Sequence, residues 1–95
     1  MKYVIGKYGY MRLEFLKEHK PELYEQLRRC GELRAHLIAV DQEAREYSRR
    51  VVSETAVVWG VTEQMKQDDP MKWTGLMNSV RAAVDETIFA EIIYI

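Results

Sequence analysis

The chain reads as an all-α protein: a long antiparallel helical hairpin with two short N-terminal helices, either elongated or dimeric. Three observations predict this. Leu33, Leu37, Val40, Ala44, Tyr47, Val51 and Val58 step by fours and threes, with Glu54 as the one polar beat. That is the spacing of one face of an α-helix. Neither Gly nor Pro falls between Glu32 and Trp59, so the helix runs for about 28 residues, or roughly 42 Å. A compact domain of this size has a radius of gyration near 12 Å and a diameter of about 30–35 Å. The helix overshoots such a globule, so the molecule is drawn out or the overhang meets a second copy.

The other elements follow in order. Residues 1–7 form an N-terminal arm that is partly β-branched and aromatic (Tyr3, Val4, Ile5). Tyr8, Met11, Phe15, Leu16 and His19 share one helical face. Lys20 is pushed out of the helical region by Pro21, which suits the first position of a second helix. Leu23, Tyr24 and Leu27 form the inner face of that helix, and Gly31 ends it. These two short helices occupy residues 8–31. The long helix takes residues 32–60 and stops at Gly60.

Residues 61–69 are a connector in which Thr62 caps a short turn, with Glu63 at its positive end. Asp69 and Pro70 then read as N-cap and first residue of a C-terminal helix over residues 70–95. Trp73, Leu76, Met77, Val80, Ala83, Val84, Ile88 and Ile92 point inward. Gly75 costs that helix about 1 kcal/mol relative to Ala and leaves room for another helix to approach. Residues 88–95 are apolar almost all round, which predicts burial. The alternative is a strand at 92–95 paired with residues 3–5. The whole chain is a single domain without internal repeats or low-complexity stretches.

Composition narrows the function classes. With 47% hydrophobic and 31% charged residues, the chain is too apolar for a disordered tail and too charged for a membrane protein. No apolar run approaches the roughly 18 residues of a membrane span, and residues 1–7 do not read as a signal peptide. Cys30 is the one cysteine, which excludes an internal disulfide and a multi-Cys zinc site. A cytoplasmic protein with no membrane contact and no cofactor is expected.

Net charge is −1, but residues 1–50 carry +3 and residues 51–95 carry −4. Lys17, Lys20, Arg28, Arg29 and Arg34, with Arg49 and Arg50 further on, are candidates for a DNA-binding face. The alternative is a set of solvated surface pairs at i,i+4 spacing: Glu25 with Arg29, Asp41 with Arg45, Glu46 with Arg50.

Catalytic and metal-binding patterns are absent. Neither His19 nor His36 follows a glutamate by three residues, and no His-Glu-x-x-His occurs. His36 reads as a boundary residue of the long helix. Cys30 lies beside Arg28 and Arg29, which favour thiolate, but has no evident base and reads as half-buried. Asp68 and Asp69 are adjacent carboxylates, one explained as a cap. Gly6-Lys7-Tyr8-Gly9 lacks the length and ending of a phosphate loop. Metal ligands and catalytic residues are therefore expected to be none.

Trp59, Trp73, Tyr24, Tyr47, Phe15 and Phe89 fall at inward positions and read as core. Tyr3, Tyr8 and Tyr10 interleave with Lys2, Lys7 and Arg12. That composition suits nucleic-acid contact, or else an arm folded back onto the helices. An apolar interaction face is drawn by Tyr47, Val51, Val58, Ile88, Phe89 and Ile92.

The order of these signals resembles a known family. Tyr8-Gly9-Tyr10-Met11, Phe15-Leu16-Lys17-Glu18, Pro21-Glu22-Leu23-Tyr24, Gly31-Glu32-Leu33 and His36-Leu37 come first. Gly60-Val61-Thr62-Glu63-Gln64-Met65-Lys66, Asp69-Pro70-Met71-Lys72-Trp73 and Met77-Asn78 follow. Over residues 8–95 the chain is similar to the transposon-encoded TnpV proteins of Firmicutes mobile elements. The resemblance implies a gene carried beside a site-specific recombinase and an excisionase-like accessory role, with DNA at transposon ends and the recombinase as partners. It brings no catalytic residues. The chain departs from an excisionase in lacking net positive charge and a basic recognition helix. The alternative is a helical module that binds the recombinase or a host factor, self-associates as a homodimer and makes no DNA contact.

Overall fold

The computed structural model describes residues 4–95. Among them the order is α1 (Lys7–His19), α2 (Pro21–Arg29), α3 (Leu33–Val58), α4 (Glu63–Asp68), α5 (Pro70–Ile88) and a π-helical turn (Phe89–Ile93). The protein is all-α, and no strand occurs among the described residues. The alternative pairing of the C-terminus with residues 3–5 is thereby set aside for Val4 and Ile5, while Tyr3 lies outside the described residues.

Local chemistry explains the boundaries. Gly31 and Gly60 take φ +75° and +73°, the left-handed conformation that closes a helix and that residues with a Cβ adopt reluctantly. The long helix thus begins and ends one residue inside the glycine-bounded window. Thr62 accepts from the Met65 amide at 3.1 Å, and Asp69 accepts from the Lys72 amide at 3.1 Å. Both caps satisfy first-turn amides that lack a partner within their own helix.

α3 and α5 form the antiparallel hairpin. α1 lies against α3 and also touches the C-terminal π turn, so it is a third layer of the core. Tyr8 of α1, Ala44 of α3, Val80, Val84 and Ile88 of α5, and Ile93 make one buried cluster, with Met11, Val40, Tyr47, Val51, Val52, Phe89 and Ile92 packed around it. α2 leans on α1 and α3. α4 rests on α5 and not on α3. The molecule measures 54 × 31 × 18 Å, with a radius of gyration of 16.6 Å. It is elongated.

The C-terminus departs from the expected straight helix. Ile88 and Ile93 are both fully buried, and they stand five residues apart. An α-helix returns to the same face after three or four residues; a π turn does so after five. The Tyr94 amide bonds the Phe89 carbonyl at 2.8 Å, which is the wider i to i+5 ring. The end is also less buried than its composition predicts: Ala90, Glu91, Tyr94 and Ile95 are exposed.

Candidate functional site

Two regions hold the side chains to which function can be assigned: a buried polar network where α1 meets the hairpin, and the open end of the hairpin. The network starts at the first turn of α1. Gly6 has no capping side chain, and the Gly9 amide donates instead to Asp41 Oδ1 of α3 at 2.9 Å. Asp41 is completely buried, with Arg45 Nε at 3.7 Å from its other oxygen. A buried carboxylate is tolerated when amides and a cation hold it. A Cβ on Gly9 would collide with Ile5 Cγ2 and lie 3.2 Å from both Asp41 Cβ and the Leu37 carbonyl. The glycine lets α1 approach α3 closely enough for Asp41 to act as its cap from another helix.

Arg12 is the second anchor. Its guanidinium donates to the carbonyls of Ile93 at 2.9 Å and Ile95 at 2.8 Å. Its Nε donates to His36 Nε2 at 3.2 Å. Burial pulls Arg12 below its ordinary pKa, yet a guanidinium stays charged at neutral pH. His36 must therefore be neutral to accept. Burial, then the charge of Arg12, pushes its pKa down.

The third anchor is Asp85. It accepts from the Tyr8 hydroxyl at 2.6 Å and from Lys7 Nζ at 3.1 Å. Burial first, then the bond to Asp85, raises the Tyr8 pKa. Among the described residues no buried side-chain nitrogen or oxygen lacks a partner. Chemically the network is an internal staple, each polar group being held by another part of the chain.

These anchors revise the sequence reading. Asp41 pairs with Arg45 as expected, but from the core and not the surface. Tyr8 and Arg12, set among the arm's nucleic-acid candidates, are spent on internal bonds; Tyr10 is exposed, and Lys2 and Tyr3 lie outside the described residues. Sequence reasoning missed Arg12, Asp41 and Asp85 as anchors. Gly6 and Gly9 before an Asp on the inner half of a long helix were the available signal.

The basic candidates come from consecutive elements at one end of the molecule. Lys17, Lys20, Arg28, Arg29 and Arg34 are all exposed. Lys17 Nζ sits 5.7 Å from the centre of the Tyr24 ring. Arg28 pairs with Glu25 at 3.0 Å, which raises its pKa. It thus takes the place expected of Arg29. Arg50 reaches Glu54 at 4.0 Å, not Glu46. Residues 13–36 hold these five cations and also Glu14, Glu18, Glu22, Glu25 and Glu32. This end carries no net positive charge.

The expected apolar face divides. Ile88 is fully buried inside the chain's own core. Tyr47, Val51, Phe89 and Ile92 are half-buried against that core. Val58 is 81% exposed, although it continues the stripe of Leu37 and Ala44. Trp59, expected in the core, is exposed too, as are Val57 and Met71. Tyr24, Phe15 and Trp73 are half-buried. His19, expected inward, is exposed and stacks on Phe15 at 5.1 Å. Cys30 is exposed, not half-buried, with its thiol 3.6 Å from the Leu27 carbonyl. Asp68 accepts from Gln64. Among the described residues no group of three or more His, Cys, Asp or Glu side chains could hold a metal, and no helix is long and apolar enough to cross a membrane.

The chain is thus a small, elongated all-helical protein: a stapled hairpin with one end left apolar and open. The family described as transposon-encoded protein TnpV matches residues 1–93 of the 95, and the chain belongs to it. The match begins ahead of Tyr8 and so takes in the segment that carries Gly6. No curated protein and no solved structure matches the chain. The protein is transposon-associated.

Proposed function

We propose that this TnpV protein is a non-enzymatic accessory protein of its mobile element that works through protein contacts, with the element's site-specific recombinase as partner. The observation that carries this reading is the exposure of Val57, Val58 and Trp59 where α3 ends, and of Met71 where α5 begins. Large apolar side chains left exposed, consecutive here at 57–59, are the kind of surface that a partner covers. Phosphate binding needs a surplus of cations, and the basic end matches its five cations with five carboxylates. The excisionase-like DNA-binding reading keeps one support: Lys20 and Arg29 are exposed and make no ion pair among the described residues.

Fluorescence anisotropy separates the two. The protein is titrated against labelled transposon-end DNA, a scrambled duplex, and the purified recombinase, at about 50 and 200 mM salt. The expected result is saturable binding to the recombinase and no preference for end DNA. Tight, end-selective binding that weakens with salt, and falls further in the Lys20→Ala, Arg29→Ala double variant, overturns the reading in favour of a DNA-binding factor.

A further inference from the structure

Arg12 ties the C-terminal segment to the rest of the molecule. One guanidinium nitrogen, Nη1, donates to the carbonyls of both Ile93 and Ile95, at 2.9 and 2.8 Å. The Nε of the same group donates to His36 Nε2 of α3 at 3.2 Å. Three elements therefore meet at one buried guanidinium. The segment it holds is the π turn, with fully buried Ile93, followed by Tyr94, whose ring lies 5.4 Å from that of Phe15 in α1. Turns of this kind recur at functional sites. A guanidinium has no acceptor and keeps its charge in a protein. The arrangement thus works with one form of His36, the neutral ring that offers Nε2 as an acceptor. A proton at Nε2 turns that acceptor into a donor and sets a second cation against the first.

We propose that His36 and Arg12 form a proton-operated latch: protonation of His36 turns the guanidinium away and frees residues 89–95 from α1, while the core of α1, α3 and α5 stays folded. The surroundings leave the repulsion uncompensated. From α1 the charged group facing the ring is Arg12, and among the described residues no carboxylate pairs with His36. On α3 itself Glu32, one turn earlier, is exposed. α2, which leans on α3, ends in the exposed cations Arg28 and Arg29, and its Glu25 is paired with Arg28. Glu91 of the C-terminal segment is exposed as well. The latched ring resists a proton, because burial and the charge of Arg12 oppose it. The released ring takes one up at the ordinary histidine value, so falling pH draws the equilibrium towards release. Arg12 gives way before His36 because its side chain turns on more bonds than the imidazole. What leaves with the turn is apolar: Ile93, and the half-buried Phe89 and Ile92.

The test is amide hydrogen exchange of the full chain, read by NMR between about pH 7.5 and 5, with the His36 ring resonances followed in parallel. The Tyr94 amide bonds the Phe89 carbonyl at 2.8 Å and reports the turn; the Val84 amide reports the core. After correction for the intrinsic pH dependence of exchange, Tyr94 protection is expected to fall by about tenfold per pH unit between the released and latched pKa values of His36. Val84 keeps its protection over the same range. His36→Gln offers Arg12 an acceptor at every pH and should hold Tyr94 protected throughout. Arg12→Met removes the tie and should leave Tyr94 unprotected throughout. His19 titrates in the same window and stacks on Phe15 at 5.1 Å, so His19→Gln is the control and should behave as wild type. Tyr94 protection that survives protonation of His36 overturns the inference, because the ring has then swung out alone. Loss of protection that is equal in His36→Gln, or absent in His19→Gln, overturns it too. Tyr94 and Val84 losing protection together would mean that His36 acts on the whole fold and not on a latch.

Discussion

Asp41 is a charged residue doing the work of a helix cap from 32 positions away in sequence. Asp41→Ala leaves the Gly9 amide without its acceptor at a buried site, and an orphaned buried donor costs about 1–3 kcal/mol. Urea unfolding is expected to show a loss in that range; an unchanged midpoint would mean water or a rearranged α1 replaces the bond. His36 gives a pH signature. Its folded pKa is depressed below the ordinary 6.5, so the unfolded chain takes up the proton first as pH falls. The His36 contribution is complete above about pH 6.5 and is lost below it, down to the folded pKa. Wild type should therefore be less stable at about pH 5.5 than at 7.5. His36→Gln keeps an acceptor for Arg12 and should flatten the difference. Equal pH slopes in the two proteins would remove His36 from the account.

Three glycines make the clearest comparison among the elements. Nothing lies within 4 Å of a Cβ built at Gly31, Gly60 or Gly75, so substitution to Ala at each is decided by backbone conformation alone. Gly31 and Gly60 sit at positive φ; Gly31→Ala and Gly60→Ala should each destabilise by about 1 kcal/mol. Gly75 lies within α5, and Gly75→Ala should stabilise by about the same amount. Thermal melts of the three variants check the sign at each site. No helix of this chain uses the gap at Gly75, contrary to the expectation that one would. The legibility of the elements follows the same logic. Helix ends marked by Gly31, Gly60, Thr62 and Asp69 could be read because a positive φ or a cap bond is a property of a few adjacent residues. The π turn could not, because it depends on Ile93 finding the same core as Ile88.

The whole molecule is unevenly packed. The half covered by α1 holds nearly every buried residue and all three polar anchors, while residues 45–79 bury Val61 alone. Local stability follows burial and contact density. Amide hydrogen exchange should therefore be slow in α5 around Val84 and Ile88, and faster in α4 and the last turns of α3. Uniform protection along α3 would show that its C-terminal turns are as firmly held as the core.

By itself the sequence determined the helical class, the span and ends of α3, the caps of α4 and α5, and the elongation that a helix of that length imposes. Each of these follows from local periodicity, capping chemistry or simple length. Tertiary structure alone decided that Asp41 and Arg12 turn inward, and that Val58 is left uncovered on a stripe that buries Leu37. These outcomes depend on which surfaces meet across tens of residues, and the same apolar spacing is written whether the covering helix comes from this chain or from another.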